Sequence, residues 1–152
     1  MMKPKKRDYP MAIKTFTTTL ALQTYLESAC SKAVENACGR LLAVLQEKID
    51  SEFYDKFDPN FYFRSYQFWE SATTKMLEKT LGVIFMDESA MNYSSYWSGE
   101  KQLVAANQGI HGGWYTTTSL TGHYWDSFVE YCEENAMTIL KVELIKQGIP
   151  VI

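Results

Sequence analysis

The chain has 152 residues, of which 46% are hydrophobic and 22% charged. This composition suits one globular domain with a core of its own and excludes a disordered polyelectrolyte. Net charge is −3 and unevenly divided: residues 1–15 carry five basic groups and one acid, the remainder ten basic groups and seventeen acids. The acidic remainder argues against a nucleic-acid-binding face, which requires clustered Lys and Arg, and no apolar run approaches the ~20 residues that cross a bilayer.

Residues 1–15 read as a flexible basic arm built on Lys3, Lys5, Lys6 and Arg7, and residues 16–152 as a single domain. The arm is not the start of a secretory signal. Thr15, Thr17, Thr18, Thr19, Gln23 and Thr24 break the stretch where a continuous apolar core would be needed.

Leu26, Cys30, Val34, Ala37, Leu41, Leu45, Ile49 and Phe53 recur at three- and four-residue spacing and predict a helix from about Leu20 to Glu52. Thr17 to Thr19 supply N-cap hydroxyls, and Gly39 marks a place for a bend. A helix of that length spans about 50 Å. Either it breaks or one end projects, and a projecting apolar stripe calls for a partner.

Nine aromatics crowd the seventeen residues from Phe53 to Trp69, around the turn signal Asp58-Pro59-Asn60. They read equally as core packing and as interface anchors. Tyr66 to Met76 and Leu81 to Asp87 predict two strands of an antiparallel hairpin turning near Glu78 and Lys79. Residues 88–122 are rich in Ser, Asn, Thr and Gly and predict a long loop, with a short helix near Gln102 to Asn107 and a strand near Trp114 to Thr118. Tyr93, Tyr96, Trp97, Trp114 and Tyr115 stand out on this loop, because exposed aromatics on a polar segment need a cover. That cover is either a partner, on which the loop becomes ordered, or the subunit's own sheet. Trp125, Val129, Cys132, Ala136, Leu140 and Leu144 predict a second helix from His123 to Gln147, stopped by Gly148 and Pro150. The whole is an α+β domain: a long N-terminal helix, a central antiparallel hairpin, a long glycine-rich loop and a C-terminal helix.

The search for catalytic or metal chemistry yields none, and no cofactor is expected. His111 and His123 fall in no ligand spacing, no nucleophile elbow is present, and Gly109 to Gly113 matches no phosphate loop. Cys30 and Cys38, about 12 Å apart along one helix, are beyond disulfide reach. Together with Cys132 they read as reduced thiols in a cytoplasmic setting.

Tyr62-Phe63-Arg64-Ser65-Tyr66-Gln67 with Ser71, then Met91-Asn92-Tyr93-Ser94-Ser95 with Gly99, then Gly122-His123 and the closing Glu143-Leu144-Ile145-Lys146-Gln147-Gly148-Ile149 share order and spacing with one family. Over residues 35–150 the chain resembles the head–tail joining, or tail-completion, proteins of long-tailed bacteriophages. It departs from them in the basic arm and in the bulk of Phe68 and Trp69. The resemblance implies a non-enzymatic virion subunit, assembled in the host cytoplasm into a ring at the neck between head connector and tail. Its partners would be further copies and other neck and tail proteins, with neither a membrane nor a specific DNA sequence among them. DNA would pass through the ring, and an acidic body suits a lumen that must not trap phosphate. Arg64, Tyr66, Trp69, Tyr93, Tyr96, Trp97, Trp114 and Tyr115 are the candidate interface residues. Two other functional classes remain compatible with the residues: a small-molecule or carbohydrate-binding module using the Tyr and Trp cluster, and a small hydrolase whose polar groups converge only in the fold.

Overall fold

The computed structural model describes residues 14–56, 65–92, 98–111, 118–119 and 122–151. The long apolar stripe forms one uninterrupted helix, α1 (Thr19–Glu52), and Gly39 lies within it on the exposed side. Thr18 caps it, its hydroxyl accepting from the Ala21 amide at 3.1 Å. A 3-10 turn follows at Tyr54–Lys56, then α2 (Gln67–Glu70), β1 (Ala72–Glu78), β2 (Leu81–Met86), a 3-10 turn at Glu88–Ala90, α3 (Gly99–Asn107), β3 (Ile110–His111), β4 (Thr118–Ser119) and α4 (Tyr124–Lys146). The α+β order read from the sequence is therefore the observed one.

Two helices and a hairpin make the body. α1 and α4 run antiparallel. At one end the Tyr25 hydroxyl donates to the Gln147 carbonyl at 2.6 Å. At the other, the rings of Phe53, Phe68 and Tyr124 meet edge to face. Gly148 ends α4 at φ 81, a left-handed conformation natural to glycine, and a Cβ there would sit 2.9 Å from the Tyr25 hydroxyl. The core runs along α1 through Ala37, Leu41, Leu45 and Ile49 to Phe53, closed by Phe68, Phe128 and Ile139. Leu41 and Leu45, both on the apolar spacing that predicts the helix, are thus buried.

β1 and β2 pair antiparallel, with Ala72 opposite Met86, Thr74 opposite Ile84 and Met76 opposite Gly82. Because strand side chains alternate, these residues form the row that faces α1. Ile84 and Met86 pack on the core, and a Cβ on Gly82 would lie 2.5 Å from the Cys38 sulfur. The other row, with Thr73 opposite Phe85 and Lys75 opposite Val83, points away. At the hairpin tip Lys79 reaches back to Glu27 on α1 at 2.8 Å.

Two boundaries differ from expectation. Tyr66 to Ser71 does not open the first strand. Tyr66 adopts φ 57, Gln67–Glu70 make one helical turn, and the Ser71 hydroxyl donates to the Phe68 carbonyl at 2.7 Å. Burial of Phe68 at the junction of α1 and α4 decides this against the strand preference of an aromatic run. Within 88–122 the described residues hold a 3-10 turn, α3 and the short β3–β4 pair. The helix starts at Gly99, three residues before the predicted Gln102, because Ser98 caps it through a hydrogen bond to the Lys101 amide. Of the predicted strand at Trp114 to Thr118, only Thr118 lies within the described residues, paired with His111.

Candidate interaction surface

Asn107 fixes the geometry of the surface where the hairpin, α3 and α4 meet. The first turn of any helix leaves backbone N–H groups without intrahelical partners. Here the Asn107 carbonyl accepts from the His123 amide at 2.8 Å, and its side-chain oxygen accepts from the Trp125 amide at 3.1 Å. Its amide nitrogen donates to the Asp126 carboxylate at 3.3 Å. The last turn of α3 is thereby tied to the first turn of α4, which His123 opens at φ 80.

Between these tied ends and the hairpin lies an open groove of about 410 Å³. β2 contributes Phe85 and Met86, α3 contributes Leu103 and Val104 with Asn107 and Gln108, and α4 contributes Tyr124 and Trp125. Six of these eight residues are apolar or aromatic. Val104 is 51% exposed and Phe85 36%, so the apolar lining faces solvent. Burial, with the nearby Asp126 carboxylate adding to it, pushes the Tyr124 phenol well above its usual range and keeps it neutral. In sequence the groove residues are flanked by acids: among the described residues, Asp87, Glu88, Glu100 and Asp126 stand within four positions of a lining residue, with Lys101 the one such cation.

Apolar surface is also open at two other places. The outward row of the hairpin continues from Phe85 through Val83 to Leu81 and Leu77 at the tip. The N-terminal end of α1 carries Leu20, Leu22 and Leu26, all exposed. Val129 and Met137 are exposed singly on α4, among Asp126, Glu130, Glu133 and Glu134 on its outer face.

Of the residues singled out from the sequence, Tyr66 and Trp69 lie within the described structure. Tyr66 caps α2, half-exposed, with its ring 5.0 Å from that of Tyr54. Trp69 packs against the core, and its indole N–H donates to Asp50 at 3.2 Å. Arg64, Tyr93, Tyr96, Trp97, Trp114 and Tyr115 lie outside the described residues. The groove residues Phe85, Val104 and Trp125 were not among the sequence candidates. Only the hairpin register, which turns Phe85 away from α1, offered a signal for one of them.

The charged cluster with the most burial lies elsewhere. Glu143 is 2% exposed and its Oε1 accepts from Arg40 at 3.0 Å and from Lys146 at 2.7 Å. Burial raises this carboxyl, but the two cationic donors outweigh it and hold the group below the ordinary carboxylate range. The cluster clamps α4 to α1. Among the described residues no three His, Cys, Asp or Glu side chains gather closely enough to hold a metal, and no helix is long and apolar enough to cross a membrane.

A comparison with protein families matches the model for YomN over residues 18–148. That span runs from the cap of α1 through α4. No curated protein sequence and no solved structure gives a significant match.

Proposed function

We propose that this chain, which belongs to YomN, a phage-associated family, is a virion structural protein of a tailed phage. It forms part of the neck between head connector and tail, joining the head to the tail or completing the tail, and it does so by assembling as a ring. The observation that carries this reading is the placement of open apolar surface at separate sites, the groove, the outer row of the hairpin and the first turns of α1. Contiguous exposed apolar area marks contact sites, and a ring subunit needs at least two of them facing different neighbours. The role calls for no catalytic group. Its partners are further copies and the adjoining neck and tail proteins, and assembly takes place in the host cytoplasm before incorporation into the virion.

A small-molecule or carbohydrate-binding module is the second reading, favoured by the size of the groove, which falls within the ~300–1,000 Å³ usual for ligand sites. It is the weaker one. Such sites orient a ligand with convergent polar groups, whereas Asn107 already spends its side chain on α4. Removing the chain from a phage genome tests the primary reading. Filled heads and complete tails that accumulate unjoined are the expected result, and normal infectious particles would overturn it.

A further inference from the structure

Resting on the ring reading above, we propose that the N-terminal end of α1 inserts its leucines into the groove of a second copy, so that subunits join head to tail.

The first ground is the length of α1. Its 34 residues face the 23 of α4, and Gln147, next after α4, is bonded to Tyr25, so that Thr19 to Thr24 extend about 9 Å beyond α4. Its buried residues descend one face in steps of four, from Ile49 through Leu45, Leu41, Ala37 and Ala33 to Ala29. At the next step of four stands Tyr25, half-buried against Gln147 and Phe16. Leu26 and Leu22, three and seven positions before Ala29 and flanking Tyr25 on the same side, are 40% and 39% exposed. Leu20, in the first turn, is 72% exposed. Leucines on this side of α1 are thus left open where the cover of α4 ends. Surface leucines scattered singly need no explanation, but these three fall within seven residues at one end of the helix.

The second ground is fit. The groove lies at the opposite end of α1, where Phe53, Phe68 and Tyr124 meet. Its volume of about 410 Å³ exceeds twice the ~150 Å³ that houses a benzene molecule, which is room for two or three leucine-sized groups. A knob at one end and an apolar groove at the other cannot meet within one subunit. Between copies they make a heterologous contact, which closes into a ring when the rotation permits.

The third ground is charge. Residues 1–26 contain Lys3, Lys5, Lys6, Arg7 and Lys14 against Asp8 alone. Lys14 lies 4.2 Å over the Tyr25 ring, and Phe16 packs on the same ring, so the chain enters α1 beside the exposed leucines. Close in sequence to the groove residues stand Glu88, Glu100 and Asp126, all exposed, and Asp87. The sequence leading into the leucines is thus cationic and the sequence flanking the groove residues acidic, and like ends of two copies repel, which disfavours a two-fold dimer through either end.

Sedimentation velocity on the full-length chain tests the contact. Leu22→Glu/Leu26→Glu places acids on the knob, and Val104→Glu places one in the groove; Leu20→Glu, at the most exposed of the three leucines, serves if the double variant does not fold. Helical circular dichroism and a thermal melt check each fold. Wild type is expected to self-associate, more weakly as salt rises, and each variant to lose at least about tenfold in association constant. Mixing a knob variant with the groove variant then leaves one intact contact and gives a one-to-one dimer that goes no further. Variants that assemble like wild type would overturn the contact and leave the ring reading standing. A mixture that forms no dimer would overturn the head-to-tail arrangement. Wild type that stays monomeric up to ~100 µM would also overturn the contact. The neck reading would then fail only if the chain is missing from virions as well.

Discussion

Glu143 carries an asymmetry that mutation can expose. Its carboxylate is almost wholly buried, while Arg40 and Lys146 keep 49% and 44% of their side chains exposed. Glu143→Gln removes the charge but keeps the shape. Two charge-assisted hydrogen bonds are weakened, yet both cations can turn to water, so the loss is about 1–2 kcal/mol. Arg40→Met/Lys146→Met leaves the buried carboxylate with neither donor, and breaking a buried pair in this sense costs about 3–5 kcal/mol. The pH dependence should reverse as well. In the wild type the folded carboxyl is depressed. Its contribution is present above the unfolded carboxylate value of ~4.3 and is lost as pH falls through the folded value. In the double variant burial alone acts and raises the folded value. The folded state then favours the proton, and stability falls as pH climbs above ~4.3. Urea melts of the three proteins between pH 4 and 7 measure both effects, the range itself being about where carboxylates titrate. A double variant no less stable than Glu143→Gln, with the wild-type pH slope, would show that the carboxylate reaches water and that the clamp is not closed.

Leu45, fully buried on α1, should cost about 2–5 kcal/mol as Leu45→Ala in a chemical melt; a loss below half a unit would place that stripe outside the core. Gly82→Ala drives a methyl against the Cys38 sulfur and should destabilise by about 1–3 kcal/mol, with much of the loss restored by adding Cys38→Ala; no restoration would locate the clash elsewhere. Cys30, Cys38 and Cys132 are free, and burial raises the Cys132 thiol. It should therefore react more slowly with a thiol reagent at neutral pH than an exposed cysteine does, and all three should react after denaturation without reductant.

Much of the architecture was legible because it rests on local periodicity. Seven turns of apolar spacing with no proline define α1, and Gly148 followed by Pro150 ends α4. The hairpin turn at Lys79 was readable from the polar Glu78-Lys79 pair between two strand-like runs. α2 was not, because Tyr66 to Trp69 has the composition of a strand and becomes a helical turn only through the burial of Phe68 between two helices distant in sequence. The groove was hidden for a similar reason. Its walls come from three segments, two of them joined by hydrogen bonds of Asn107 that no spacing rule announces. The Arg40–Glu143 pair spans 103 positions and is equally invisible to a local reading. The exposed leucines at the start of α1 were partly foreseeable, since a helix of about 50 Å must outrun a domain of this size.

The neck assignment is tested most directly by labelling purified phage particles with gold-conjugated antibody against this chain and locating the gold by electron microscopy. The account predicts label confined to the junction of head and tail, in several copies per particle. Particles that lack the chain altogether, or that carry it only on the capsid faces or the distal tail, would contradict it.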